Sequence, residues 1–466
     1  MNESLTPHAS AGAALAENAG GAAGGGPIAE DRGRRALLGY RGAIALVIAN
    51  TIGTGVFTTS GFALADLGEP AFVMLAWLVG GVYALAGVTV YADLAIKYPE
   101  SGGEYAFLRN TLHPALGTVA GWISLVAGFT APIAAAALGA ELYLSRALGV
   151  SHGLPWIATA VVFILGLLHA AVPEKGVRFQ NAAVLVKVSA IVFFIAFGAP
   201  TAVGQLVRAP MPAAGSFSLL AFGGSLVWIS YAYSGWNAAV YVTGEVAGGG
   251  STVKRALYAG AVLVIALYIG VSAVILYSAS QEQLRGVAES GAVAARALGG
   301  ARAEQALSGL IALALVTSAS SMLLAGPRVY ARMSRDGVLP AILGRLHGDH
   351  PRIAILAQMA LSLLLVWIAG LRDLLEFVGV TLSLSAGAAV VGWLHEELLS
   401  SSPSRRAFEV CAAVFFLLAT LGIAIAALVM RPTSALASVG LIGCGFLAHI
   451  WGRHCKCEIR PQARST

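Results

Sequence analysis

The sequence predicts an all-α membrane protein of twelve transmembrane helices. Three observations predict it: a shortage of charge, twelve apolar segments of bilayer-spanning length, and a lopsided share of lysine and arginine between alternate connections. The charge argument comes first. Of 466 residues, 58% are hydrophobic and 11% charged, with mean hydropathy +0.79. A water-soluble domain carries about 25% charged and about 45–50% apolar residues. This chain has too few polar side chains to cover a water-facing surface, so it must face lipid. Length alone would suggest two or three soluble domains, yet one polytopic bundle uses the whole chain more naturally.

A hydrocarbon core about 30 Å thick takes about 20 apolar residues per helix. Segments of that kind fall near 41–65, 70–97, 114–147, 155–173, 177–200, 216–246, 254–279, 304–334, 352–371, 373–398, 406–430 and 432–451. The third and eighth are long, as tilted helices are. A short connection at Gly370-Leu371-Arg372-Asp373 marks where two helices meet. Residues 1–40 read as a disordered leader. Its first 31 residues are rich in Ala and Gly, with acids and no continuous apolar core, unlike a cleavable signal peptide. Residues 452–466 read as a tail, and 41–451 as the transmembrane domain.

Lysine and arginine set the orientation. With the N-terminus cytoplasmic, the inside segments hold 21 of them and the outside connections 7, leaving Lys187 inside a span. That excess, with an even helix count, puts both termini in the cytoplasm, the membrane being the plasma (bacterial inner) membrane. The pI near 9.2 comes from this topology, since the basic residues form no cluster suited to nucleic acid. The four cysteines all lie in the last fifth, so no extracellular disulfide framework is implied. His454-Cys455-Lys456-Cys457 lacks a second ligand pair and reads as a solvated tail rather than a metal site; no metal or other cofactor is expected.

Two helices are broken in corresponding places. The first runs Ile48-Ala49-Asn50-Thr51-Ile52-Gly53-Thr54-Gly55-Val56-Phe57, the sixth Ser230-Tyr231-Ala232-Tyr233-Ser234-Gly235-Trp236-Asn237. Each interior glycine weakens a helix by about 1 kcal/mol. Unwound backbone at mid-membrane depth survives only where it lines a cavity. Helices one and six each open a five-helix unit (41–200 and 216–398), as in inverted-repeat transporters, with helices eleven and twelve (406–451) outside the repeat. The competing reading is that these glycines only permit close helix packing.

Four stretches now carry a resemblance. They are Ile52-Gly53-Thr54-Gly55-Val56-Phe57; Tyr98-Pro99-Glu100-Ser101-Gly102-Gly103-Glu104-Tyr105; Tyr231-Ala232-Tyr233-Ser234-Gly235-Trp236-Asn237; and Arg328-Val329-Tyr330-Ala331-Arg332 running to Arg335-Asp336-Gly337-Val338-Leu339-Pro340. Together they resemble the amino acid–polyamine–organocation superfamily, specifically amino-acid permeases similar to the bacterial L-amino-acid transporter-like branch. The match covers helices one to eight by motif and nine to twelve by hydropathy. Ala49 departs from it, standing where many relatives have glycine.

A zwitterionic amino acid needs one anion site and one cation site, and a broken helix supplies both. The N–H groups of Thr54 and Gly55, at the positive end of a half-helix, suit a carboxylate, with the Thr54 hydroxyl beside them. The carbonyls of Thr51, Tyr231 and Ser234 suit the amine, as the resemblance also implies. The candidate substrate site is therefore Thr51, Ile52, Gly53, Thr54, Gly55, Tyr231, Ala232, Tyr233, Ser234 and Gly235. Tyr231 stands where the family places an aromatic lid, with plain packing as the alternative. By resemblance, Tyr105 and Asn237 help form the inner gate.

Lys187 lies about eleven residues into a span, where a charge costs at least about 2.5–3.5 kcal/mol. In the related branch a lysine on helix five takes the place of sodium. It would bridge the first break to hydroxyls of helix eight, with Ser318, Ser320 and Ser321 as candidates. This implies sodium-independent transport, Lys187 being a fixed cation or a proton carrier; a lysine meeting a watery crevice is the alternative. No Asp or Glu lies within one turn of either break in sequence, which favours neutral amino acids over polyamines or cationic ones. Helix three, with Ala134 to Ala137 and Gly139-Ala140, offers small side chains and room. His169 and His449 read as structural histidines. The expected partners are an amino acid, the bilayer and protons, by exchange or proton symport. The loop from Ser145 to Trp156 has no cysteine, so no disulfide-linked heavy subunit is expected. An intramembrane enzyme would need converging acids, a nucleophile–base pair or metal ligands, and none is found. A non-transporting sensor using the same pocket stays open, while a channel fits two matched breaks less well.

Overall fold

A computed structural model describes residues 38–150, 153–171, 176–210, 212, 216–346, 351–399 and 407–458, with only the backbone at 176–183 and 452–458. The predicted leader up to residue 37 and the side chains of the 452–466 tail lie outside the described residues, as do 172–175 and 400–406. Among the described residues the regular structure is helical, apart from one bridge between Leu38 and Val246.

The helices run α1 Tyr40–Thr51, α2 Gly55–Leu67, α3 Pro70–Lys97, α4 Glu104–Thr111, α5 Pro114–Ile123, α6 Ala131–Leu148, α7 Trp156–Ala171, α8 Gly176–Arg208 and α9 Leu219–Tyr233. They continue with α10 Gly249–Ser278, α11 Gln281–Leu284, α12 Ser290–Arg335, α13 Arg352–Ile368, α14 Leu371–Leu399, α15 Ala407–Met430 and α16 Pro432–Glu458. Among the described residues nine stretches are long and apolar enough to cross a membrane, counting α1–α2 and α5–α6 once each; α7 and α13 are shorter apolar helices.

Three segments depart from simple spans, each for a local reason. Helix α5 passes into α6 through a π-helical turn, Ser124–Thr130. Pro132, just beyond it, cannot donate to the preceding turn and crowds it, and a widened turn relieves both. Helix α9 stops at Tyr233, because Gly235 takes φ +95; a 3₁₀ turn, Ala238–Glu245, follows. Helix α12 begins fourteen residues earlier than its apolar stretch and bends at Gly299-Gly300. Arg296 and Arg302, expected in a loop, therefore stand on a helix.

Burial separates a core from a lipid-facing shell. In its most apolar stretch the α5–α6 span is 83% buried, against 33% for α15 and 22% for α16. The central helices pack on small residues, as membrane helices do in the absence of a hydrophobic drive between them. Gly139 of α6 sits so close to Thr54 that a Cβ there would come within 2.4 Å of Thr54 Cγ2. The small residues of helix three thus serve packing, not spare room. Two ends can be named by their contacts. The basic end carries the α3–α4 connection and the end of α12, and the opposite end carries the α2–α3 and α15–α16 connections.

Candidate functional site

The two breaks interlock. A Cβ on Gly55 would lie 2.4 Å from Ala232 Cα, and one on Gly235 would lie 2.5 Å from the Asn50 carbonyl oxygen. Each break needs a glycine because the other break's backbone touches it. Thr54 and Tyr231 close the contact with a 2.7 Å bond between hydroxyls, both residues being buried.

The first break leaves backbone groups in two directions. Helix α2 starts at Gly55, so its first-turn N–H groups have no acceptor within the helix. On the α1 side the carbonyls are taken. Lys187 Nζ, 2% exposed, donates to the Ile52 carbonyl at 2.9 Å, to Ser318 Oγ at 2.7 Å and to the Ala49 carbonyl at 3.4 Å. Tyr268 donates to the Thr51 carbonyl at 2.6 Å. Lys187, with no carboxylate beside it among the described residues, is thus held by the negative end of a half-helix, its three protons matched by three oxygens. Of the three candidate serines, Ser318 alone meets it. Ser320 bonds His169 Nε2 at 2.8 Å and Ser321 donates to the Thr317 carbonyl.

A cavity of about 60 Å³ opens where the breaks meet, room for about four to six waters. Asn50, Thr51, Gly53, Gly55, Tyr231, Ala232, Ser234 and Gly235 line it from the breaks. Gly128 and Phe129 line it from the π turn, Pro132 from the start of α6, and Met322 and Ala325 from α12. Among the described residues no charged side chain does. Three predicted residues stand back from it. Ile52 contributes its carbonyl to Lys187, Thr54 is covered behind Tyr231, and Tyr233 points into an aromatic cluster with Trp77 and Tyr268, its hydroxyl on the Trp77 carbonyl at 3.2 Å.

The predicted gate residues end on two different carboxylates at the basic end. Tyr105 donates to Asp336 at 2.8 Å, which Arg109 also pairs at 3.0 Å. Burial, and then the Asp336 carboxylate, hold the Tyr105 phenol well above its ordinary range, so it remains a donor. Asn237, lining the cavity, donates to Glu104 at 2.5 Å. Sequence neighbours alone suggested no acid near either break. The fold brings one to the second break through 133 residues of separation, saturated by donors and screened from the cavity by Asn237 and Tyr241.

At the opposite end Arg431, 7% exposed, bonds Asp66 and Glu376 and lies over the Trp228 ring at 4.2 Å. Asp66 and Glu376 stand near helix ends, where solvated charges are ordinary, yet both pair with the buried Arg431, which the sequence did not signal.

A profile described as amino acid permease matches residues 38–436. The chain belongs to the amino acid permease family. That family lies in the amino acid–polyamine–organocation superfamily, so the permease is an integral membrane protein and an amino-acid transporter. It is 28% identical over 353 residues to the serine/threonine exchanger SteT of Bacillus subtilis (strain 168), covering 74% of this permease and 80% of that protein. It is 24% identical over 408 residues to the large neutral amino acids transporter small subunit 2 of Rattus norvegicus, covering 84% and 75%. A methylthioribose transporter of Bacillus subtilis (strain 168) is 27% identical over 323 residues, covering 65% and 68%. The family and these relatives are transporters and not enzymes.

Proposed function

We propose that this permease carries small neutral amino acids by alternating access, without sodium, as an exchanger or proton symporter. The observation that carries the reading is the cavity between the breaks, which offers backbone and neutral polar groups and no charged side chain. A zwitterion brings one charge of each sign and finds complements in the α2 N–H groups and the carbonyls of Tyr231 and Ser234. A charged side chain would find none. A substrate the size of alanine or serine fits this volume. The SteT relative, a serine/threonine exchanger by name, supports this size and supports exchange.

Lys187 supports the absence of sodium, because its ammonium already lies among the carbonyls of the α1 end where a cation would bind. In this reading the nine long spans, α7, α13 and α9 with its 3₁₀ continuation make twelve crossings. α1 to α8 and α9 to α14 form the inverted halves. The basic end is cytoplasmic, with both termini on that side of a bacterial inner membrane. Tyr105 and Asn237 act in the inner gate, and no disulfide-linked heavy subunit is required.

Uptake of labelled alanine, serine, leucine, lysine and spermidine into proteoliposomes tests the reading. Saturable uptake of alanine or serine in sodium-free buffer is expected. Dependence on internal amino acid marks exchange, and dependence on a proton gradient marks symport. A sodium requirement, or preference for lysine or spermidine, would overturn it. Binding without uptake would instead identify a sensor.

A further inference from the structure

Glu104 is the most heavily bonded carboxylate beside the cavity. It is 3% exposed and makes no ion pair among the described residues. Three donors hold it: Tyr91 to Oε1 at 3.0 Å, Asn237 to Oε1 at 2.5 Å, and Tyr241 to Oε2. A buried carboxylate without a cation is costly, and three bonds from neutral donors offset that cost. The local chain is shaped to deliver it. Gly102 and Gly103 take φ +142 and +57, and a Cβ on Gly103 would come within 2.5 Å of the Tyr241 ring.

The donors come from two bodies. Tyr91 belongs to α3 and is wedged between Phe107 and Trp236. Asn237 and Tyr241 belong to the segment after the second break, and both line the substrate cavity. We infer that Glu104 is the latch of the inner gate, its carboxylate tying the post-break segment of helix six to the frame beneath the substrate. The proposal rests on the alternating-access reading. Opening the cavity toward the basic end must part Asn237 and Tyr241 from Glu104. Replacing the carboxylate by an amide leaves one accepting oxygen in place of two and no charge, so the three bonds are weakened or lost.

Charged groups on the packed elements are engaged elsewhere. Lys97 pairs with Asp93, Glu396 and Glu397; Arg109 and Arg332 meet Asp336; Arg332 also meets Glu100; Arg328 meets Glu245. The other titratable groups facing Glu104 are Tyr91 and Tyr241, already bonded to it.

The test places a cysteine at Ala238, which lines the cavity, with Cys411, Cys444, Cys455 and Cys457 replaced by serine. Labelling by an impermeant maleimide from the cytoplasmic side is measured and normalised to a surface cysteine at Ser251. Glu104→Gln is expected to raise the normalised rate about tenfold, the effect of one lost charge-assisted bond. Tyr91→Phe, which leaves the cavity lining intact, should raise labelling by a smaller factor and keeps the test alive if Glu104→Gln fails to fold. Labelling equal in parent and variants would overturn the latch. Because labelling needs no substrate, it answers this question even where no amino acid is taken up, an outcome that would count against the transport reading alone.

Discussion

The two helix breaks differ in how they are held. At the first, the carbonyls of α1 are tied by Lys187 from α8, Ser318 from α12 and Tyr268 from α10. Three surrounding helices therefore fix one short stretch of backbone. At the second, the chain turns on itself through Ser234 N to the Tyr231 carbonyl and continues as a 3₁₀ turn with Val242 off helical geometry. A 3₁₀ turn has poorer hydrogen bonds than an α-helix. Beyond it, side-chain ties run to Glu104 from Asn237 and Tyr241, and from Glu245 to Arg328 at 2.9 Å. In the proposed reading the contrast is a division of labour between matched elements: one break anchored through its backbone carbonyls, and one tied through side chains beyond it and suited to moving.

The hardest way to break this arrangement is at the interlock. Gly55→Ala would drive a Cβ into the Ala232 backbone, which has no rotamer to yield, and Gly235→Ala adds the strain of a positive φ. Overpacking costs about 1–3 kcal/mol, and here the overlap falls in the site itself. Uptake in either variant should fall to background, with a lower melting temperature in detergent.

Next in size is the anchor. Lys187→Ala strips a charged donor from two buried carbonyls, of which that of Ile52 keeps Ser318; a hydrogen bond to a charged group is worth about 1.5–3 kcal/mol. Uptake should drop at least tenfold, about 1.4 kcal/mol in effect. Full, pH-sensitive uptake in that variant would end the coupling role. A smaller change comes from Tyr231→Phe, which removes the bond to Thr54 and should weaken substrate affinity several-fold, in line with about 0.5–1.5 kcal/mol for one hydrogen bond.

The serines give the finest resolution. Ser318→Ala should reduce uptake measurably, while Ser321→Ala, whose hydroxyl only bonds back to its own helix, should match the parent. Greater sensitivity at Ser321 would mean that the anchor is assigned to the wrong face of α12.

Much of this was legible in the chain itself. Scarcity of charge required lipid on the outside, glycines at Gly53, Gly55 and Gly235 required weak points, and a lone lysine in an apolar stretch required a polar partner. These are properties of composition and of neighbours in sequence, and they hold before any packing is decided. The helix-three alanines misled, because small side chains signal close approach and spare volume equally, and only a packed neighbour such as Thr54 tells which.

Tertiary structure alone decided the rest. It chose Ser318 over Ser320 and Ser321, turned Tyr233 into the core, and brought Asp66, Glu376 and Arg431 into one buried cluster across more than 360 residues. It also set Glu104 under the second break. The reason is physical: a buried charge must find partners wherever the fold supplies them, and which partner is in reach depends on how helices distant in sequence pack together.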